Sequence, residues 1–324
     1  MKGFAAVLGL CALLAQSQVL AEVPGDPLSW LGRIESAGQR LNYSGTFIYQ
    51  SGKNFETSRI VHVADPAGGE RERLEVLDGS PREVIRNNGE VRCVLPDQKM
   101  VIVGQPGGQR AFPSRLPASF GGLAENYRIR KGEIGRVAGL EAQLIVLEPK
   151  DDLRYGHLLW AELQSGLLLK ARTIDQNGEI IEQFTFSDVK IGGEIGSDAL
   201  KPRYTKHSDW RVVQAHGVEV SREEIGWTLN APVPGFSLTS VVRRPLGRDR
   251  GEGLHLVFSD GLAAISVFVE PAGANGAALG TVPMATGAVN MYKRVVDGHM
   301  ITALGEVPLD TVRRVGDGIE PAVR

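Results

Sequence analysis

Short runs of alternating apolar and polar residues, separated by turn signals, dominate the sequence from Phe47 to Phe186. A period of two places successive side chains on opposite faces of a strand, so the pattern predicts β-structure. Asp78-Gly79 and Asn177-Gly178 are turn sequences that typically join such strands. Because the connections are short, we expect an antiparallel and sequential sheet. The predicted strands are 46–49, 60–63, 73–76, 91–94, 100–103, 127–131, 140–148, 155–163, 167–174 and 180–186.

One amphipathic helix is predicted before this sheet. Asp26 has the character of an N-cap, and Pro27 is suited to the first helical position. Apolar residues then recur at helical spacing as far as about Leu41. The apolar face of this helix is available to cover one face of the sheet.

Some predicted strands are apolar on both faces, as in residues 158–160 and 167–169. One face can pack on the helix, but the other also needs cover. A strongly curved sheet around the helix and an apolar cavity would satisfy both faces. An ordinary filled core would do so equally well, and periodicity alone leaves both open.

The chain of 324 residues exceeds what one compact core usually holds, so two domains are expected. A long loop at 104–117 and a linker at 192–209 interrupt the strand pattern. The predicted domains are 22–191 and 210–324, the second a smaller α+β unit. Its expected elements are strands at 212–220, 238–242, 254–258, 263–269, 288–296 and 299–304, and a helix from Pro308 to about Val315.

The first 21 residues resemble a secretory signal peptide. Lys2 precedes an apolar run over residues 4–15, and the segment ends in a small residue, Ala21. The mature protein is therefore expected to be exported and not lipid-anchored. Of the two cysteines, Cys11 would leave with the signal peptide, so no internal disulfide is expected. Cys93 lies in a strand pattern that favours a buried core thiol over a reactive one.

No catalytic or metal-binding motif is found in the sequence. The six histidines are scattered and lack metal-ligand spacing, so we expect no metal, no cofactor and no enzyme. Asp151 and Asp152 are adjacent, which favours a solvated turn over a paired acid and base. The net charge of −2 gives no reason to expect nucleic acid as a partner.

One charge cluster stands out in the second half of the chain, and we place it in a loop. It consists of Arg243, Arg244, Arg248 and Arg250. A solvated surface is one interpretation of such a run. The other is a set of guanidinium groups that binds carboxylates or phosphates.

Several segments together make the sequence similar to the MucB/RseB family of exported regulators. They are LNYSGTFIY at 41–49, ERERLEVLDGSPREVIR at 70–86, CVLPDQK at 93–99, RVAG at 136–139, PKDDLRYG at 149–156, FSDGLA at 258–263 and VFVEP at 267–271. The resemblance extends over essentially the whole mature chain.

This resemblance implies a periplasmic, non-enzymatic protein that binds the periplasmic domain of a membrane anti-sigma factor. It implies shielding of that factor from site-1 proteolysis, and release of the factor by lipid or lipopolysaccharide. The implied fold is a LolA/LolB-like unclosed antiparallel β-barrel over a helix, followed by the smaller α+β domain. A periplasmic lipid or lipoprotein carrier is the alternative, and a secreted hydrolase is a weaker one. The sequence leaves open whether the chain forms a homo-oligomer.

Two sets of binding residues follow as expectations. On or near a lipid cavity we expect Phe47, Tyr49, Trp160 and Leu169. For the anti-sigma factor we expect the arginine cluster Arg243, Arg244, Arg248 and Arg250, together with Arg110 and Phe112 on the long loop.

Overall fold

The computed structural model describes residues 25–65, 68–104, 122–204, 208–215, 217–230, 232–246, 251–273 and 284–322. These residues are mostly in strands, with few helices, and most of the strands belong to two sheets. The described helices are α1 (Pro27–Arg40), α2 (Leu123–Asn126) and α3 (Leu309–Gly318). The predicted signal peptide and the long loop 105–117 lie outside the described residues.

Twelve strands form the first sheet within the described part of the chain. They are β1 Tyr43–Ser51, β2 Asn54–Ala64, β3 Glu70–Val76, β4 Glu83–Asn87, β5 Glu90–Leu95, β6 Met100–Gly104, β7 Tyr127–Val137, β8 Leu140–Pro149, β9 Gly156–Glu162, β10 Leu168–Ile174, β11 Ile180–Ile191 and β12 Arg211–Gln214. Their order is β12-β6-β5-β4-β3-β2-β1-β11-β10-β9-β8-β7. Since β12 and β7 are at the two edges and do not pair with each other, the sheet is not closed.

The strands of the second sheet are β13 Val218–Glu219, β15 Ser237–Pro245, β16 Glu252–Ser259, β17 Ala264–Pro271, β18 Met284–Thr286, β19 Val289–Val296 and β20 His299–Gly305. Their order is β13-β15-β16-β17-β20-β19-β18. A separate pair joins β14 (Trp227–Leu229) to β21 (Ile319–Pro321). Helix α3 packs on β19 and β20, and Val312 and Val315 of this helix are fully buried.

Helix α1 begins where the sequence predicts. The Asp26 side chain accepts a hydrogen bond from the backbone N–H of Ser29 at 2.9 Å, which satisfies one free donor of the first turn. The buried face includes Trp30, Leu31 and Ile34, which share one apolar core with residues of the first sheet. The helix contacts β2, β7 and β10, so it connects strands that lie far apart in the sheet order.

The meander is confirmed for most strands, with two departures. Strand β11 pairs with β1 as well as with β10, so the sheet order is not sequential along the chain. Strand β4 was not predicted, because polar residues occupy its buried positions. Glu83 is fully buried and Arg86 is nearly so, and this hides the apolar alternation that identifies a strand.

The strand expected after the predicted linker also differs from the structure. The single strand expected at 212–220 is two short strands in different sheets: β12 pairs in parallel with β6 of the first sheet, and β13 pairs with β15 of the second. Arg203, within the predicted linker, contacts the first sheet. The backbone N–H of Arg203 donates to Glu83 at 3.0 Å, and its guanidinium pairs with Glu75.

Candidate functional site

A fully buried ion pair joins the two sheets. Arg154, in the connection from β8 to β9, donates from Nη1 to Oδ2 of Asp260 at 2.6 Å. Neither side chain is exposed to solvent. Asp260 lies in the turn between β16 and β17, where its Oδ1 accepts the N–H groups of Leu262 and Ala263 at 2.9 and 2.8 Å. The Asp260 carboxylate therefore stabilises the turn in which it lies and also binds Arg154, which comes from the first sheet.

The Nε and Nη2 atoms of Arg154 are also hydrogen-bonded. Nε and Nη2 donate to the two oxygens of Asp151 at 2.9 and 3.1 Å, and Nη2 also donates to the Pro234 carbonyl at 2.6 Å. The guanidinium lies 5.1 Å from the Phe236 ring centroid. Burial of a charge is tolerated when it is paired and hydrogen-bonded in this way. The turn is partly solvated, as predicted, because Asp152 is exposed and 32% of the Asp151 side chain is exposed. The role of Asp151 in orienting a buried arginine was not predicted.

Further contacts extend this region, which we call the Arg154 junction. The Thr311 hydroxyl of α3 donates to the Leu153 carbonyl at 2.9 Å. The Asn290 amide of β19 donates to the Tyr155 hydroxyl at 2.9 Å. Leu153 packs against the core of the second sheet, and Leu262 packs against the core of the first. The junction therefore joins both cores.

A second buried polar group lies within the first sheet. Tyr43, His62, Glu72 and Arg86 occupy directly paired positions on β1, β2, β3 and β4. We call them the buried polar row. The Tyr43 and His62 rings stack at 4.8 Å, and His62 Nδ1 lies 2.8 Å from the Leu41 carbonyl. Since a carbonyl only accepts, Nδ1 is the donor of this hydrogen bond.

The contacts along the row are long for buried charges. Arg86 Nε is 4.0 Å from Glu72, and Arg86 Nη1 is 3.6 Å from Glu70. Tyr43 Oη, His62 Nε2 and Arg86 Nε have no hydrogen-bond partner among the described residues. Burial raises the pKa of Glu72 to about 7, and the Arg86 charge only partly opposes this. Burial likewise raises the pKa of Tyr43 well above its ordinary value.

A cleft of about 700 Å³ lies beside the row. It lies where α1 leads into β1 and where β2 turns towards β3, and its walls include Arg40, Asn42 and Asp65. The Asn42 side chain crosses this region, accepting from the Ala64 N–H at 3.0 Å and donating to the Gly193 carbonyl at 3.1 Å. The cleft therefore has a mixed polar lining rather than an apolar one.

The residues predicted near a lipid cavity fall into two groups. Phe47 and Leu169 are buried in the core of the first sheet, and Tyr49 packs against it. The Phe47 ring forms edge contacts with Phe184 and Phe186 at 6.2 and 5.8 Å. These contacts place Phe47 within an aromatic cluster of the core.

Trp160 also packs against this core, but its side chain leaves strand β9 on the other face. It lies between Leu159 and Ala161, which are both buried, so strand alternation directs it to the opposite face. Its ring contacts two cations there, Lys170 Nζ at 4.9 Å and Arg172 Cζ at 5.5 Å from the centroid. A cation held over an indole face gains electrostatic stabilisation.

The arginine cluster is not a single group. Arg243 and Arg244 lie in strand β15, not in a loop as predicted, and adjacent strand residues point to opposite faces. Arg243 lines a small pocket of about 120 Å³ together with Trp227, Glu252 and His299. Arg244 lies on the other face of the sheet. Arg248, Arg250, Arg110 and Phe112 lie outside the described residues.

Three further features of the described residues bear on function: the free cysteine, metal binding and membrane-spanning helices. Cys93 is a free thiol that is only partly buried, and burial raises its pKa. Over the described ranges, no group of three or more His, Cys, Asp or Glu side chains could hold a metal ion. No helix in those same ranges is long and apolar enough to cross a membrane.

Sequence reasoning missed both the Arg154 junction and the buried polar row. Each depends on residues that are distant in the chain, such as Arg154 and Asp260, and no local pattern pairs them. One signal was available: both residues lie in segments that carry the family resemblance, 149–156 and 258–263.

The fold is of a mainly β class in which an unclosed sheet is joined to a second sheet through buried polar contacts. Family models match in two parts: the MucB/RseB N-terminal domain matches residues 26–204, and the MucB/RseB C-terminal domain matches residues 221–320. The chain belongs to the MucB/RseB family.

Relatives and solved structures agree with this assignment. The chain is 34% identical over 313 residues to the sigma factor AlgU regulatory protein MucB of Pseudomonas aeruginosa, covering 94% of this chain and 93% of that protein. It is 27% identical over 285 residues to the sigma-E factor regulatory protein RseB of Haemophilus influenzae, covering 88% of each. A crystal structure of MucB in complex with MucA(peri) matches with a TM-score of 0.72 and 30% identity, covering 92% of this chain and 100% of that one.

Proposed function

We propose that this chain is a periplasmic negative regulator of an envelope-stress sigma factor, acting by binding the periplasmic domain of a membrane anti-sigma factor. One observation carries the proposal: the chain resembles, over nearly its full described length, a MucB structure solved in complex with MucA(peri). The related proteins MucB and RseB are sigma-factor regulatory proteins. The signal-peptide pattern at 1–21 supports export.

Binding would shield the anti-sigma factor from the site-1 protease, and a lipid or lipopolysaccharide signal would release it. In this proposal residues 22–191 form an unclosed barrel over α1, similar to LolA and LolB, and receive the acyl chains near Phe47, Tyr49 and Leu169. Each methylene removed from water contributes about 0.8 kcal/mol. Such a ligand releases the partner only if it binds the released state more tightly than the partner-bound state.

We further propose that residues 210–324 form the domain that binds the anti-sigma factor, with 192–209 as the connection. Two contacts support communication between the parts. Strand β12 follows the connection but pairs with β6 of the first sheet. The Arg154 junction adds a buried ion pair between the two sheets. A change in the first sheet can therefore alter the position of the second.

Titration calorimetry with the purified periplasmic domain of the organism's own anti-sigma factor tests the proposed function. We expect tight, saturable binding by the lipid-free protein, and weaker binding after saturation with lipopolysaccharide. Equal affinities with and without lipopolysaccharide would contradict the release step alone. Absence of binding in the lipid-free protein would contradict the proposed function and favour a lipid carrier.

Reversing the charges of Arg243, Arg248 and Arg250 together is expected to slow association with the anti-sigma domain several-fold, because charges at the rim of an interface mainly steer encounter. The dissociation rate should change little. Surface plasmon resonance at two salt concentrations measures both rates, and the effect on association should shrink at the higher concentration. Unchanged association at low salt would indicate a merely solvated surface.

A further inference from the structure

One face of the second sheet is covered by α3, and the other is partly exposed. Along β17, β19 and β20, buried and partly exposed residues alternate, as expected for a sheet with one covered face. Ile301 and Ala303 of β20 lie on the covered side. We call the opposite side the open face. Its apolar residues are Phe268, Met291, Val295, Met300 and Leu304, and its polar residues include Ser266, Glu270, Lys293 and Thr302.

The open face is more apolar than a solvated face usually is. Antiparallel sheets that expose one face normally place polar residues there. Here a phenylalanine, two methionines and a leucine are only partly covered, and Val295 is 41% exposed. Contiguous exposed apolar surface commonly marks an interaction site, and methionine side chains adapt to varied partners.

Two buried nitrogen atoms without partners in the described part of the chain border this apolar surface. His255 pairs with Val242 across β15 and β16, and Arg244 lies two residues further along β15, so both side chains are on the open face. His255 is only 9% exposed. Neither His255 Nδ1 nor Arg244 Nε has a hydrogen-bond partner among the described residues.

The His255 ring is fixed by its neighbours. It stacks on Phe268 with a centroid distance of 4.2 Å and an angle of 9°, and Nε2 lies 3.0 Å from the Ser266 hydroxyl. Burial, followed by the Arg244 charge, lowers the pKa of His255 to about 4, so the ring is neutral near pH 7. When the Ser266 hydroxyl donates to Nε2, Nδ1 carries the proton and is a donor.

We propose that the open face binds an amphipathic segment of the anti-sigma factor's periplasmic domain, with an acidic side chain of that segment pairing with the Arg244 guanidinium. This rests on the proposed function. The chemistry favours a carboxylate, because Arg244 is a partly exposed cation whose Nε has no hydrogen-bond partner among the described residues. His255, diagonally across from it on β16, is neutral and does not compensate this charge. The apolar residues of the open face fit the apolar side of such a segment.

A second arginine of the same domain provides a matched test. Calorimetry with the anti-sigma periplasmic domain is compared for wild type, Arg244→Gln and Arg313→Gln. We expect Arg244→Gln to raise Kd at least about tenfold, since a buried hydrogen-bonded charge is lost. Arg313 is exposed on α3 on the covered side, so Arg313→Gln should change Kd less than about twofold. Phe268→Ser should also weaken binding, with folding of each variant verified by circular dichroism.

Photo-crosslinking locates the partner independently of any loss of affinity. A photoreactive amino acid replaces Thr302 on the open face or, as control, the exposed Arg313 of α3 on the covered side. We expect crosslinks to the anti-sigma domain from position 302 and not from 313. Two results would overturn this proposal while the wild-type protein still binds the anti-sigma domain: crosslinks only from position 313, or an unchanged Kd for Arg244→Gln. Either result would leave the proposed function intact. If the wild-type protein did not bind the anti-sigma domain, both this proposal and the proposed function would be contradicted. A free dimer that becomes monomeric on Phe268→Ser would assign the face to a second copy and overturn the proposal.

Discussion

Replacing Arg154 with methionine is expected to lower the free energy of unfolding by about 3–5 kcal/mol, because breaking a buried ion pair leaves one charge uncompensated. Asp260 would keep its two backbone donors but lose its cation, while remaining fully buried. The Pro234 carbonyl would also lose the donor that it now has at 2.6 Å. Methionine preserves much of the apolar stem, so the change isolates the charge and its hydrogen bonds.

Urea denaturation followed by circular dichroism and by tryptophan fluorescence measures this effect. We expect the two parts of the variant to unfold in separate transitions, because the Arg154 junction joins both cores. Arg130→Met is the matched control. Arg130 pairs with Glu148 at 2.8 Å, but 53% of its side chain is exposed. Exposed pairs contribute only about 0–1 kcal/mol.

A double variant separates the ion pair from other effects of the substitution. Arg154→Met combined with Asp260→Asn removes both charges and keeps a side-chain acceptor for the Leu262 and Ala263 N–H groups. Its loss of stability should be smaller than the sum of the two single losses. If Arg154→Met costs no more than Arg130→Met, the ion pair does not hold the sheets together.

Much of the fold could be predicted from local patterns. Helix α1 has its capping residue and proline in sequence, and most strands of the first sheet show clear alternation. The position of β11 beside β1 could not be predicted in this way, because pairing between distant strands leaves no local signal. Strand β4 was missed for a different reason. Its buried residues Glu83 and Arg86 are charged, and their burial depends on partners from elsewhere in the chain.

Less of the candidate site could be predicted. The arginine cluster could be identified from the sequence as a candidate binding site. The opposite directions of Arg243 and Arg244 could not be predicted, because they follow from strand β15, which was expected to end at Val242. Phe47 and Trp160 were both expected on or near a lipid cavity. Strand alternation separates them once the pairing register is known, and the register is set by tertiary contacts.

Replacing Glu72 with glutamine is expected to change how stability depends on pH. Burial raises the pKa of Glu72 from 4.5 to about 7. A raised pKa means that the folded state binds this proton more tightly than the unfolded state does. The resulting stabilisation is complete below about pH 4.5 and is lost as pH rises through about 7. Above that range, the folded protein holds a buried carboxylate whose contact with Arg86 is 4.0 Å.

The difference in unfolding free energy between Glu72→Gln and wild type isolates this carboxyl group, since the other titrating groups are common to both. We expect the variant to gain roughly 2.5 kcal/mol relative to wild type between pH 5 and pH 8, at 1.36 kcal/mol per pKa unit. Urea titrations at half-unit pH steps measure the difference. Glu133→Gln, at an exposed position on β7, is the control and should follow the wild-type curve.

The direction of this difference tests the structure of the buried polar row. If Glu72 were instead held in a close ion pair with Arg86, its pKa would fall, and Glu72→Gln would lose stability relative to wild type as pH rises. If the unfolding free energies of wild type and Glu72→Gln differed by the same amount at every pH, the Glu72 carboxyl group would be solvated in the folded protein. Only a gain that grows towards pH 8 agrees with a carboxyl group buried between Tyr43, His62 and Arg86. Such a group would make the first sheet less stable above neutral pH than below it.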